Sequence, residues 1–510
     1  VGFDGHIRLG QWAPVWVDVT AVADIDGTVL IETSGPSGGP GVLFGAPIRA
    51  AAGARVRVFI AAIFLDGRQP GAVHLEVGSD RLASVPLPRL RSTDELVVVL
   101  SAEPIGVEPA AARRDRLDVA YVTPEVLPET WQAYGAVRLL VVRNLDERLL
   151  SDAQRTAIRH WVWTGGRLLL VPAGDDTRHF SGPTLGPLRA GVVGGRAGRG
   201  EVITWQHDPV IRAGRGDPVD AREWDAVLVP RPALHAAGLE ALVPATRAVP
   251  RRVHLAVGAL VLLYIALVRR VSRWLATLRP APVVASALIV AVCVAAAVQV
   301  SVVARWKASG VVTATVIQGL PGTWHGLLQV NGRTVLSDGG WFSVSASPEM
   351  LVWAPVPAPV RIVQGPVTTL EGRGVSVQLA GTAVLQLFVT GTHEQADGVE
   401  HIVVANQSGR TIEYPWVFSY GRVQAVPEIG ESARITLNPQ TWQAHDRLQR
   451  TEPNHRLLRW AFSRLQADAI LRTTPVWLVG WWRDPAAALT WDGRSETTLQ
   501  LVLVPLEASR

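Results

Sequence analysis

A run of 24 residues without a charge, Ala281 to Ala304 (APVVASALIVAVCVAAAVQVSVVA), constrains this chain more than any other feature. As an α-helix rising about 1.5 Å per residue it would reach about 36 Å, against about 30 Å for the hydrocarbon core of a bilayer. A shorter run, Val253 to Val268, is bracketed by Arg251, Arg252, Arg269 and Arg270, whose stems can lie along apolar surface while their charges reach an interface. The two runs sit in tandem, joined by RRVSRWLATLRP, and predict a transmembrane hairpin over 253–304 (253–268 and 281–304) rather than two buried core helices.

The rest of the chain is too long for one core and has room for several domains. Its 48% apolar and 18% charged residues are high and low for a wholly water-exposed protein, and fit a few spans plus globular regions. The 49 Lys and Arg barely exceed the 44 Asp and Glu, so no polybasic face for nucleic acid is expected. The single cysteine, Cys293, lies inside the longer apolar run, which excludes an intramolecular disulfide and a multi-cysteine metal site. The chain begins at Val1 with no apolar leader, which predicts that an export signal has been removed or lies outside this sequence. With that signal, a bacterial cytoplasmic membrane location follows, both large regions outside the cytoplasm and the lipid bilayer as a partner.

Residues 1–92 alternate short apolar stretches with Gly-, Pro- and Asp-containing turns, the spacing of a β-sandwich. The glycine-rich SGPSGGPG (34–41) lacks the Lys-Ser/Thr of a phosphate loop and is expected to be a plain loop. From Glu95 the pattern changes to apolar strands (ELVVVLS, LDVAYVT, VRLLVV, RLLLV) separated by helical segments, the signature of a parallel, helix-covered sheet over 93–245. Its clearest unit is 151–171. Ser151 and Gln154 form a capping-box pair, Ala157, Ile158, Trp161 and Val162 make one apolar face, and Gly165-Gly166 stop the helix.

LPETWQAYGAVRLLVVRN (127–144), LSDAQRTAIRHWVWTGGRLLLVPAG (150–174) and GRGEVITW (198–205) together resemble class I glutamine amidotransferase-like, flavodoxin-like domains of exported bacterial membrane proteins of unknown function. VANQSGRTIEYPWVFSYGRVQAVPEIG (404–430) is similar to the C-terminal β region of the same proteins. The resemblance implies an amidotransferase architecture without its chemistry. A true member needs a cysteine on a sharp strand-to-helix turn, and here Pro172, Ala173 and Gly174 occupy the corresponding turn. No GxSxG replaces it, so no catalytic residue and no cofactor is assigned.

Ligands of open parallel sheets sit beyond the carboxyl ends of the strands. The residues expected there include Ser101, Thr123, Glu125 and Arg143, and a candidate ligand rim of Glu103, Asn144, Asp146, Asp175 and Asp176, able to hold a cation or a polar ligand, or simply to be solvated loop. HEQADGVEH (393–401) lacks zinc-protease spacing and is expected to be a strand–turn–strand, so no metal is assigned. GGRAGRG (194–200) follows no dinucleotide-binding unit and reads as a hairpin or loop.

After Ala304 the chain is strand-rich to its end (305–510), a second β-sandwich-like domain interrupted by one helix near 455–472, with Asn454 as cap and Leu458, Ala461, Leu465 and Ala469 on one face. The 19 tryptophans of the whole chain, against 9 Phe and 5 Tyr, include a cluster in this region, Trp477, Trp481 and Trp482. Exposed aromatics of this kind can stack on sugars or anchor protein partners; in a strand, Trp477 and Trp481 would face one way and Trp482 the other. The sequence thus leads to a multidomain α/β plus all-β chain with a membrane hairpin and a non-enzymatic binding or scaffolding role among envelope proteins. The open alternatives are a carboxylate-dependent envelope hydrolase and an accessory subunit of a transporter or secretion complex.

Overall fold

The computed structural model describes residues 1–228 and 310–508, together with Arg270, except for internal stretches of which 173–195 is the longest. The described chain is mostly β, arranged in one parallel sheet, two large mixed sheets and two small two-stranded pairings.

The six-stranded sheet runs in the order Leu117–Val122, Glu95–Leu100, Val137–Arg143, Arg167–Val171, Gly200–Thr204, Arg196–Ala197. All neighbours are parallel except the last, a tight antiparallel hairpin. Its central strands are apolar at consecutive positions because both faces are covered. Val98, Leu140 and Leu168 pack with Tyr134, Ala157, Ile158 and Trp161 on one side; Val97, Val99, Leu139 and Leu169 pack with Ala110, Trp224 and Leu228 on the other. Three arginines at the amino ends of the strands hold the end of the helix Ala221–Val227. Arg114 donates to the Leu228 carbonyl (2.7 Å), Arg138 to the same oxygen, and Arg167 to the Val227 carbonyl (2.6 Å). Cations at a helix C-terminus meet its unpaired carbonyls and the negative end of its dipole.

The 151–171 unit is built as its sequence implies. The helix Asp152–Thr164 starts from Ser151, whose hydroxyl accepts from Gln154 N while the Gln154 side chain accepts from Ser151 N. The Gln154 amide also donates to the Pro124 and Leu127 carbonyls (2.9 Å each), so the cap doubles as a tie to the preceding turn. Gly165 closes the helix at φ +130°, and a Cβ on Gly166 would stand 2.3 Å from the Trp161 ring. Ser151→Ala is expected to cost about 1 kcal/mol, read as faster hydrogen exchange in the first turn of this helix than elsewhere.

The expected fold class is corrected in three respects. First, the strand order is that of a doubly wound sheet, but among the described residues the connections between its first four strands are a four-residue helix (Glu108–Ala111), short 3-10 turns and one long helix. The flavodoxin-like domain is therefore replaced by a thin parallel layer in a β molecule.

Second, the N- and C-terminal β regions are not separate sandwiches. Leu43–Ala50 pairs in parallel with Val360–Val363, so a nine-stranded sheet runs from Arg494–Ser495 through the C-terminal strands into Ile25–Glu32, Ala72–Val77 and Asp80–Pro86. Gln364 reinforces the junction, accepting from Ala61 N (3.1 Å) and donating to Ala61 O (2.6 Å). A single apolar core joins Ile31, Phe44, Ile60, Leu328, Ile362, Leu478 and Val502. The sequence hides this because each half has an ordinary alternating pattern and pairing across 300 residues leaves no local mark.

Third, the helical anchor is corrected. The longest described helices have 13 residues, about 20 Å against a hydrocarbon core of about 30 Å. No helix among the described residues is long and apolar enough to cross a membrane. The runs 253–268 and 281–304 lie outside the described residues apart from the connector's Arg270, and the multi-pass membrane location drawn from them is set aside.

The twelve-stranded sheet carries the C-terminal helix His455–Ala467 on one face, with Leu458, Ala461, Phe462 and Leu465 buried. Asn454 and Ala469 lie outside the described residues. The strand Val476–Trp482 is buried along its whole length. Trp477 and Trp481 pack under the helix and Trp482 into the opposite core, following strand alternation. With both faces covered, this cluster offers no stacking surface.

Candidate functional site

The carboxyl edge of the parallel sheet is where its strands deliver side chains to solvent, and its chemistry centres on Arg143 at the end of Val137–Arg143. The Arg143 guanidinium donates from Nε to Asp208 Oδ1 (3.0 Å), from Nη2 to Asp208 Oδ2 (2.9 Å) and from Nη1 to Glu103 Oε2 (3.2 Å). The first two make a fork-on-fork pair, the geometry for which a planar guanidinium is suited. The Asp208 side chain is 1% exposed and that of Glu103 is 59% exposed. The Asp208 hydrogen bonds, the largest cause, hold Arg143 above the usual arginine range, with Glu103 adding to the effect.

Local sequence explains each placement. Asp208 precedes Pro209 at the start of the helix Pro209–Gly214, and its Oδ1 also accepts from Val210 N (3.0 Å), as an N-cap does. Ser101 and Glu103 close a small turn in which the Ser101 hydroxyl donates to the Glu103 carbonyl (2.8 Å) and accepts from Glu103 N (3.2 Å). Beside it, the Tyr121 hydroxyl donates to Glu108 Oε1 and accepts from Ile105 N (3.1 Å). Burial, then the Glu108 contact, push the Tyr121 phenol above its usual range.

Of the expected rim, the structure brings Glu103 to Arg143. Asp146 serves its own turn, accepting from Arg148 N (3.0 Å). Glu125, near the N-terminal strands, is held below the usual carboxylate range, first by its hydrogen bond with Thr123. Asn144, Asp175 and Asp176 lie outside the described residues. Asp208 was missed by sequence reasoning, although Asp-Pro ahead of an apolar helix is an N-cap signal. The arrangement is an arginine whose three donor edges face two carboxylates, so it ties three loops together and leaves no open fork for an anion. Among the described residues no group of three or more His, Cys, Asp or Glu could hold a metal ion.

Two other motifs take structural roles. His393–His401 spans the ends of an antiparallel pair, Val389–Ala396 with Val399–Asn406, whose connecting residues 397–398 are outside the described set. At GGRAGRG the chain makes its hairpin with Gly198 at φ +60°, and Arg199 reaches across to Gln318 Oε1 (3.1 Å) in the twelve-stranded sheet.

Residues 1–88 match the model of a domain of unknown function, DUF8726. The match covers the N-terminal strands up to Asp80–Pro86 and none of the residues of the parallel sheet. No curated protein matches the chain.

Proposed function

We propose that this chain is a non-enzymatic binding or scaffolding protein. The observation that supports this is the occupation of the described carboxylates at the carboxyl edge: Glu103 and Asp208 both grip Arg143, and Asp146 caps a turn. Hydrolysis by two carboxyl groups needs one of them free to donate a proton and the other free to activate water or attack, across a gap of about 5 to 9 Å. A pair pinned to one guanidinium is arranged to hold loops. A β body in which distant strands complete one sheet, with the parallel layer braced against it, is a rigid platform for presenting surfaces.

The test compares the full chain with Glu103→Gln and with Asp175→Ala/Asp176→Ala, in pull-downs from native extracts and in assays for release of soluble products from cell-envelope polymers. The expected result is one reproducible set of partners recovered equally by all three, with no product release. Product release by the full chain that Glu103→Gln abolishes would overturn the proposal in favour of a hydrolase. Partners lost only in the Asp175/Asp176 variant would move the binding site to that loop.

A further inference from the structure

The exposed aromatics point to a second location. Among the described residues, the large aromatic side chains left open to solvent are Trp324, Phe388, Tyr414 and Tyr420. Two are explained by their turns. Tyr420 precedes Gly421 in the two-residue hairpin between paired Ser419 and Arg422, where positive φ is the rule, and Tyr414 sits at the irregularity between Glu413 and Trp416. Trp324 and Phe388 are different. They lie on neighbouring turns at one end of the twelve-stranded sheet, 44% and 43% exposed. The turns are tied by Leu387 N donating to the Trp324 carbonyl (2.8 Å) and Gln407 N donating to the Phe388 carbonyl (2.7 Å).

Phe388 holds φ at +53°, the left-handed region that a bulky side chain disfavours and a glycine meets freely. It does so at a corner that is no hairpin, because the strand before it, Ser376–Gln386, pairs with His325–Val335 and the strand after it, Val389–Ala396, pairs elsewhere. Backbone strain spent on presenting a ring to solvent is a recurring mark of a ligand contact. The turn bearing Trp324 is fixed in turn, since the Thr323 hydroxyl donates to the Leu320 carbonyl (2.9 Å) and accepts from His325 N (3.2 Å).

The exposed polar residues nearest Phe388 in the chain and across its backbone tie are amides. Gln386, opposite His325 in the strand register, and Gln407 are both exposed. Arg410, in the turn that follows the strand Val399–Asn406, lays its guanidinium over the Trp482 ring, 5.5 Å from the centroid. Burial holds the His325 imidazole below its usual range, so it brings no charge at neutral pH. Two exposed rings on turns that also carry exposed amides suit a ligand with apolar C–H faces and hydroxyl edges: rings pack on the former, and amides both donate to and accept from the latter.

We infer that the turns carrying Trp324 and Phe388 form a binding site for a neutral saccharide. This rests on the binding reading above and names the class of ligand. The experiment is calorimetric titration of the full chain with cellohexaose, chitohexaose, maltohexaose and xylohexaose. Saturable binding of at least one is expected, weakened tenfold or more by Trp324→Ala and by Phe388→Ala. Phe388→Gly supplies the readout that a structural role would not give: it should lose binding while raising the thermal midpoint, because the left-handed strain is relieved. Absence of binding to all four sugars, or binding unchanged in the variants, overturns the inference. Capture of a protein partner through Trp324 in place of any sugar overturns it as well while leaving the binding reading standing. Loss of the partner set with sugar binding intact would instead strike at the scaffold role and spare this site.

Discussion

Asp208→Ala is expected to destabilise the parallel layer by about 3–5 kcal/mol, the range for removing one partner of a buried ion pair. The cost comes from what is left behind. Arg143 has a side chain only 14% exposed and would keep Nε and Nη2 without their carboxylate, with Glu103 alone as a charged partner. Val210 N would lose its cap at the same time. Asp208→Asn keeps the cap acceptor and shape but not the charge, so it should fall between the two. Denaturant unfolding followed by hydrogen exchange in the strands Val137–Arg143 and Gly200–Thr204 checks this. A loss below about 1 kcal/mol, the value typical of a solvated surface pair, would mean that Arg143 is not the lock of this edge. Raised salt should change the wild-type value little, since a pair this buried is weakly screened.

That edge also shows what the sequence could and could not reveal. The helix Asp152–Thr164 was legible because its signals are local: a capping box, an apolar stripe and a double glycine. The strand Val476–Trp482 was legible, with its tryptophans split between faces, because period-two alternation is a property of the backbone alone. Burial was not, since the pattern cannot say what covers either face. Glu103 was identified as a rim residue, but its partner Arg143 was seen only as a neighbour in the same rim and Asp208 not at all, because a salt bridge across 65 residues has no periodicity. The pairing of Leu43–Ala50 with Val360–Val363 escaped for the same reason, and so a shared sheet was read as two sandwiches. Trp324 and Phe388 drew no notice because what sets them apart is exposure and a backbone angle.

Acid is expected to loosen the seam between the parallel layer and the β body, at a single cluster of rings. His160 and Trp163 on the helix Asp152–Thr164 meet His325 on the strand His325–Val335, with centroids 5.6 Å (His160–Trp163), 4.4 Å (Trp163–His325) and 6.2 Å (His160–His325) apart. The cations facing them are Arg159, 5.6 Å from the Trp163 ring, and Arg199 across the hairpin, which donates to Gln318. Burial, then the neighbouring His325 and Arg159, lower His160 from 6.5 to about 4; burial and Arg159 lower His325 as well. For a histidine depressed in the folded state, the unfolded chain binds protons first as pH falls. The contribution is therefore complete above pH 6.5 and is lost progressively between pH 6.5 and about 4. At about 1.4 kcal/mol per unit the His160 share is on the order of 3 kcal/mol. Hydrogen exchange of the helix and of the strand His325–Val335, corrected for intrinsic rates, should show opening over that window. His160→Asn should flatten the pH dependence by removing the titrating group, whatever it costs at pH 7.5. An unchanged slope in that variant would place the acid sensitivity elsewhere.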